Sequence, residues 1–299
     1  MAAEDMHGFA GQLLRDEPMS RHTSWRVGGV VDTWFRPASL DELVEFMQTL
    51  EATVPVYWVG LGSNLLVRDG GVRGVIISVQ DALSGVEDLG AGRVKAGAGL
   101  ACTVFARHCV RRGLGPAEFF AGIPGTIGGA LAMNAGAFGG ETWEVVESVE
   151  TIDRSGTLRS RRPDEYTVTY RQVDGPQNEW FVSGTFLFKE NFATSMENMK
   201  SLVNERKEKQ PLGLPSCGSV FRNPPDDHAA RLIETAGLKG YEMGGAVVSD
   251  KHANFIINKG EATAADIEAL ITHVQTTVRD QHGVELKCEV HIIGEALND

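Results

Sequence analysis

From residue 122 to residue 140 the chain runs GIPGTIGGALAMNAGAFGG, nineteen residues without a charge, seven of them glycine. The apolar pair Phe119-Phe120 precedes the stretch and Glu141 closes it. Length alone fits a membrane span, for which about 20 uncharged residues is the usual requirement. Composition argues otherwise. The glycines, Pro124 and Asn134 leave a spanning helix weak and its backbone bonds partly unsatisfied. The reading that survives is a buried loop system, in which glycine lets main chain approach a partner closely and offer it N–H groups. A large, flat, phosphate-bearing cofactor is such a partner.

At 299 residues the chain fits two or three domains, and 42% hydrophobic content supports globular folding. A net charge of −12 opposes a nucleic-acid partner, which requires a basic face. The cluster Arg159, Arg161 and Arg162 reads as solvated surface. Cys102, Cys109, Cys217 and Cys288 form no CxxC pair, so neither a zinc knuckle nor a disulfide scaffold is expected. The eight histidines are scattered without HExxH spacing, and no metal site is expected. The start MAAEDMHGFAGQLLRDE is acidic and lacks a continuous apolar core, which opposes a secretory signal. The resulting expectation is a cytoplasmic protein.

Residues 28–80 read as strand, helix, strand, turn, strand. VVDTWF is rich in β-branched and aromatic residues and ends at Pro37. Ser39 and Glu42 have capping-box spacing ahead of Leu40, Leu43, Met47 and Leu50, which recur at helical intervals. VPVYWV and GVIIS flank GLGSNLLVRDGG. Further on, RVKAGAG and a helix near CTVFARHCVRRG, stopped by Gly113, precede the long glycine stretch. Ser155-Gly156 signals a hairpin, while DEYTVTYR and EWFVSGTFLF alternate as half-buried strands, so the middle third is mainly β. A polar helix over about 195–209 stops at Gln210-Pro211, marking a boundary. HAARLIETAG reads as a helix, and AVV and NFIINK as short strands. Thr263 and Asp266 cap a long amphipathic helix with Ile267, Leu270, Ile271, Val274 and Val278 on its apolar face and Gly283 as its stop. ELKCEVHIIG closes the chain as a strand.

The segment Gly60-Leu61-Gly62-Ser63-Asn64 follows a strand, as a dinucleotide loop does. It is a poor Rossmann fingerprint, because Leu65 takes the third glycine position and LLVRDGG does not continue as a helix. No GxxxxGK[ST] occurs, so a P-loop hydrolase has no support. Taken together, the two glycine-dense segments can supply N–H donors to a pyrophosphate from one and cover a ring system with the other. Close packing of two domains explains the second segment equally well.

GLGSNLLVRDGG, GIPGTIGGALAMNAGAFGGE, PSCGSVFRNP and CEVHIIGE, in this order and at these distances, resemble the motifs of the UDP-N-acetylenolpyruvoylglucosamine reductase (MurB) family, flavoenzymes of bacterial cell-wall precursor synthesis. SRHTSWRVGG at 20–29 resembles that family's entry to its flavin domain, so the resemblance spans nearly the whole chain. It implies an α+β fold of the vanillyl-alcohol-oxidase/PCMH flavin type, with FAD-binding subdomains at 1–82 and 83–195. A substrate-binding domain follows at 196–299, its last strand returning to the flavin site. Non-covalent FAD, NADPH as co-substrate and UDP-N-acetylenolpyruvoylglucosamine as substrate are implied, with no nucleic-acid, membrane or obligatory protein partner.

By the same resemblance Gly60, Leu61, Gly62, Ser63, Asn64 and Leu65 wrap the FAD pyrophosphate. Gly122, Ile123, Pro124, Gly125, Thr126, Gly128, Gly129, Asn134, Ala135 and Gly136 run beside the flavin. Arg171 matches the residue that holds the substrate carboxylate, Ser219 the proton donor, and Glu289 a carboxyl set against the developing charge, kept protonated by burial. Lys209 and Asn223 match positions near the sugar nucleotide. Read without the family, each has an ordinary alternative: Arg171 a surface residue at a strand end, Gly218-Ser219 a turn, and Lys209 a helix-end cation. Alternation along ELKCEVHIIG puts Glu285 and Glu289 on one face, so only the family match selects Glu289.

Two departures stand out. The family's Tyr-Arg-x-Ser reads Tyr170-Arg171-Gln172-Val173 here, which removes one hydroxyl and leaves the arginine; activity is expected to survive. The stretch from Arg171 to Phe186 is too short for an extra tyrosine-bearing loop, as in the compact branch of the family. The competing readings are an oxidase of the same fold with FAD tethered through Cys102 or His108, and a catalytically silent binding module.

Overall fold

The computed structural model describes residues 8–297, and within it the chain forms two compact units. One comprises residues up to 15, 33–61 and 74–204; the other comprises 16–32, 62–73 and those from 205 onward. Of the N-terminal stretch read for a signal, residues 1–7 lie outside the described part.

In the first unit, helix α1 (Leu40–Thr49) starts where the capping spacing predicts, Ser39 Oγ accepting the Glu42 N–H at 3.1 Å. The Glu42 carboxylate is buried and accepts main-chain N–H groups of Gly11 and Ala38. Leu43, Phe46 and Met47 on the inner face of α1 pack with Phe35, Val75 and Ile77. Val56–Trp58 pairs in parallel with residues 75–77 of strand Val72–Ile77. A five-stranded sheet follows in the order Leu158–Arg161, Val146–Asp153, Glu179–Leu187, Arg93–Gly97, Val86–Gly90. Its first pair turns at the expected hairpin, with Gly156 at φ +80. Helix α2 (Cys102–Val110) places Phe105 among Phe120, Phe186 and Phe188, all buried.

The glycine stretch is not loop throughout. Helix α3 (Ile127–Met133) forms inside it, capped by Thr126 and ended by Asn134 at φ +42. Ile127, Ala130 and Leu131, spaced three and four apart, are buried and give the helix a core face that outweighs its paired glycines. Among the described residues no helix is long and apolar enough to cross a membrane.

Helix α4 (Met196–Lys209) begins after Ser195, whose Oγ accepts the Asn198 N–H. The second unit contains α5 (Ala229–Thr235) and α6 (Ala264–His282). The five predicted apolar positions of α6 pack with Phe221, Leu232 and Ile233 in one core. Thr263 and Asp266 form the expected reciprocal cap, and Gly283 at φ +70 ends the helix. The turn VRDGG adds a clamp that sequence reasoning missed. Asp69 accepts the N–H groups of Ala264 and Ala265 at 3.0 and 2.9 Å, and Arg68 forks onto Glu268, which lowers the Glu268 pKa. Trp25, from SRHTSWRVGG, is fully buried and donates its indole N–H to Ile256 O. The predicted strands AVV and NFIINK form as Ala246–Val248 and Ile256–Asn258, which pair antiparallel.

Two strand expectations need correction. Only His291–Ile293 of the closing ELKCEVHIIG is a strand, and it pairs in parallel with Leu65–Val67, a strand hidden inside GLGSNLLVRDGG. Residues 284–287 are irregular and Cys288 makes a single bridge to Phe221. Alternation therefore does not apply there: Glu285 is exposed, whereas Glu289 is half-buried. Likewise DEYTVTYR yields the strand Thr167–Thr169, paired with Gln172–Asp174, and leaves Arg171 in the two-residue turn between them.

Candidate active site

In the first unit the two glycine segments touch. A Cβ on Gly60 would lie 2.6 Å from Thr126 Oγ1, so only glycine admits this approach. The amides that open α3 are committed within the unit: Ile127 N–H donates to Leu100 O and Gly128 N–H to Ala98 O, each at 2.8 Å. A Cβ on Gly128 would come within 2.9 Å of Ala98 Cβ. Close packing therefore accounts for Gly128, though within one unit and not between two domains.

Asn134, Gly136 and Arg171 come together in the same unit. Arg171 sits at φ +58, in a turn where a positive φ normally calls for glycine or asparagine. Its Nη1 donates to Asn134 O at 3.2 Å and its Nη2 to Gly136 O at 2.9 Å. Its guanidinium carbon lies 5.1 Å from the centre of the Tyr170 ring. Two main-chain carbonyl groups thus fix the guanidinium within the first unit.

The second unit joins Asn64, Ser219 and Glu289 to one backbone framework. Asn64 Nδ2 donates to Glu289 O at 3.1 Å, and His291 N–H donates to Asn64 O at 3.1 Å. Glu289 N–H donates to Val220 O at 2.8 Å, one residue beyond Ser219. Val220 is pinned in turn by its own N–H on Asn254 O. The Asn254 side chain exchanges both hydrogen bonds with the Phe221 main chain at 2.9 and 2.8 Å. Asn254, 3% exposed, is a positioning residue that sequence reading missed; the polar break it makes in the otherwise apolar ANFII was its one local sign. Ser219 is half-buried and follows Gly218 at φ +71. Cys217 beneath it is buried and directs its thiol at Gly62 O and Leu65 O; burial pushes its pKa up to about 12. Asn223 is exposed and its Oδ1 accepts the Ala229 N–H, while Lys209 is exposed in the last turn of α4.

The donor set of residues 60–64 fits a pyrophosphate. Gly60 O accepts from Gln80, Gly62 O from Ser24 N–H, and Asn64 O from His291 N–H. The carbonyl groups of Gly60, Gly62 and Asn64 are thus turned into the protein, while the N–H groups of residues 60–64 donate to no described residue. That is the polarity an anion requires. Tethering has poor support from either named residue. Cys102 is fully buried and burial raises its pKa, which suppresses the thiolate, and His108 contacts Asp88 at 2.8 Å.

Residues 31–161 match the pattern of an FAD binding domain, and residues 210–293 that of the UDP-N-acetylenolpyruvoylglucosamine reductase C-terminal domain. The curated UDP-N-acetylenolpyruvoylglucosamine reductase of Alkalilimnicola ehrlichii is 57% identical over 99% of both chains. The chain belongs to the UDP-N-acetylenolpyruvoylglucosamine reductase family. The reductase of Methylococcus capsulatus is 53% identical, over 96% of this chain and 94% of its own. The crystal structure of the family member from Thermus caldophilus superimposes with a TM-score of 0.79 at 30% identity, covering 94% of this chain and 98% of that one. The fold is thereby the α+β flavin-binding type that the motifs implied.

Val173, the departure from the family's serine, pairs with Val168 across the hairpin, and both pack against the first unit's core. Val173→Ser is expected to cost about 1 kcal/mol of stability by exposing polar surface to that core, with turnover unchanged within a few-fold. Thermal melting and a steady-state assay check this; a gain of orders of magnitude in turnover would show that the missing hydroxyl matters.

Proposed function

We propose that the protein is a cytoplasmic, FAD-containing oxidoreductase that uses NADPH to reduce UDP-N-acetylenolpyruvoylglucosamine to UDP-N-acetylmuramate for peptidoglycan synthesis. The observation that carries this is 57% identity over 99% of a reductase, with the arginine, serine and glutamate of the family's motifs all present. Residues 60–65 hold the pyrophosphate of non-covalent FAD, and the main chain of residues 122–129 and 134–136 runs beside its ring. The subdomains at 1–82 and 83–195 bind FAD, and 196–299 binds substrate, with Lys209 and Asn223 near the sugar nucleotide.

The chemistry that bound FAD supplies is hydride transfer, from NADPH to the methylene carbon of the enolpyruvyl ether. An enol ether accepts hydride poorly, because the electron pair it gains must rest on the adjacent carbon and its carboxylate. Arg171 holds that carboxylate through the fork that lysine lacks and offsets the growing charge. Glu289 matches the family's carboxyl for the same charge, to which a carboxyl carrying a proton donates a hydrogen bond. Ser219 gives its proton to the carbanionic carbon, a stronger base than the alkoxide left behind.

Anaerobic mixing tests the scheme. NADPH should bleach the flavin absorbance and the enolpyruvyl sugar nucleotide should restore it. A protein that takes up no FAD overturns the proposal. A yellow protein that neither reductant nor substrate changes would be the silent binding module.

A further inference from the structure

Asn134 is 2% exposed and its side chain is fully engaged within the first unit. Oδ1 accepts the Trp143 N–H at 3.1 Å, and Nδ2 donates to Glu141 Oε2 at 2.7 Å and Thr169 O at 3.2 Å. An amide has two N–H donors, and both are used. Its contribution points towards Arg171 instead. Through Thr169 it grips the residue that opens the Tyr170-Arg171 turn, and through its carbonyl oxygen it accepts Arg171 Nη1.

Glu141 closes the arrangement. It pairs across a short hairpin with Gly136, whose carbonyl accepts Arg171 Nη2, and its carboxylate accepts Asn134. The contacts form a ring: Arg171 to Asn134, Asn134 to Glu141, Glu141 to Gly136, and Gly136 back to Arg171. Asn134 at φ +42 and Arg171 at φ +58 are both non-glycine residues in the left-handed region, a conformation that persists only where surroundings hold it.

We infer that Asn134 and Glu141 are positioning residues that fix the Arg171 guanidinium for an anionic substrate group, and that the Asn134 side chain is not a ligand of the cofactor. The inference rests on the proposed role of Arg171. A long arginine tail left mobile would have to be ordered in each turnover; the ring orders it beforehand.

The test uses the FAD-loaded enzyme in anaerobic stopped-flow, which separates flavin reduction by NADPH from reoxidation by the enolpyruvyl sugar nucleotide. Asn134→Gly keeps the left-handed backbone and removes the amide; Glu141→Ala removes the acceptor. Both should retain FAD at wild-type stoichiometry and be reduced within about twofold of the wild-type rate. Both should be reoxidised about 10- to 100-fold more slowly, with weakened substrate affinity. Glu141→Gln, which keeps an oxygen acceptor, should recover most of the rate lost in Glu141→Ala. Arg171→Ala should be slower still, and adding Asn134→Gly to it should slow it no further. Loss of FAD in Asn134→Gly, equal slowing of both half-reactions, or additive effects with Arg171→Ala overturns the inference while leaving the arginine's role standing. Reoxidation of Arg171→Ala at the wild-type rate overturns the arginine's role and the inference together.

Discussion

Ser219→Ala is expected to bind FAD, to be bleached by NADPH at the wild-type rate, and to be reoxidised by substrate about a thousandfold more slowly, the scale of a lost general acid. That loss corresponds to about 4 kcal/mol in the barrier. Ser219 suits the experiment because its neighbours are held through main chain, and its own hydroxyl has no hydrogen-bond partner among the described residues. Val220 is pinned by Asn254 and Glu289, Phe221 by Asn254, and Cys217 is packed beneath residues 62–65. Removing one oxygen from this frame leaves the fold intact, so a slow variant reports chemistry. The melting temperature should move by no more than a degree or two. If reoxidation slows less than tenfold, the proton comes from elsewhere, and water or another side chain takes the role assigned to Ser219.

What the sequence revealed and what it concealed divide by the range of the interaction. Ser39 with Glu42, Thr263 with Asp266, and Gly156 and Gly283 are local devices, complete within four residues, and each stands where its spacing places it. The pairing of Leu65–Val67 with His291–Ile293 is not local at all. Three residues inside a glycine-rich motif carry too little pattern to announce a strand, and its partner lies at the other end of the chain. The same range effect separates Glu285 from Glu289. No alternation distinguishes them, yet the bond from Glu289 to Val220 and the irregular path before Cys288 leave one half-buried and the other in solvent. Arg171 failed as a strand residue for a local reason. A two-residue hairpin turn normally advertises itself with glycine or asparagine, and Tyr170-Arg171 has neither. Its left-handed backbone is upheld instead by the contacts of Asn134 and Gly136, residues more than 30 positions away in sequence.

Gly62→Ala is expected to abolish FAD binding or weaken it at least 100-fold, a loss of about 2.7 kcal/mol, and to lower the melting temperature. Two costs combine. At φ +61 any side chain is strained by about 1–2 kcal/mol. The larger cost is a collision, because the new Cβ would lie 2.0 Å from His22 O and 2.9 Å from Thr23 Cα. That backbone cannot yield cheaply: His22 N–H is bonded to Met19 O, Thr23 Oγ1 to Val27 O, and Ser24 N–H to Gly62 O itself. The glycine loop must therefore move, and with it the N–H groups of residues 62–64 that are proposed to face the pyrophosphate. Gly283→Ala supplies the control. It imposes the same left-handed strain, at φ +70, with nothing within 4 Å of the added carbon. It should cost about 1–2 kcal/mol and leave FAD affinity unchanged. Fluorescence titration of apoprotein with FAD, alongside thermal melting, separates the two. A Gly62→Ala protein that purifies yellow with wild-type affinity would mean that this loop does not hold the cofactor.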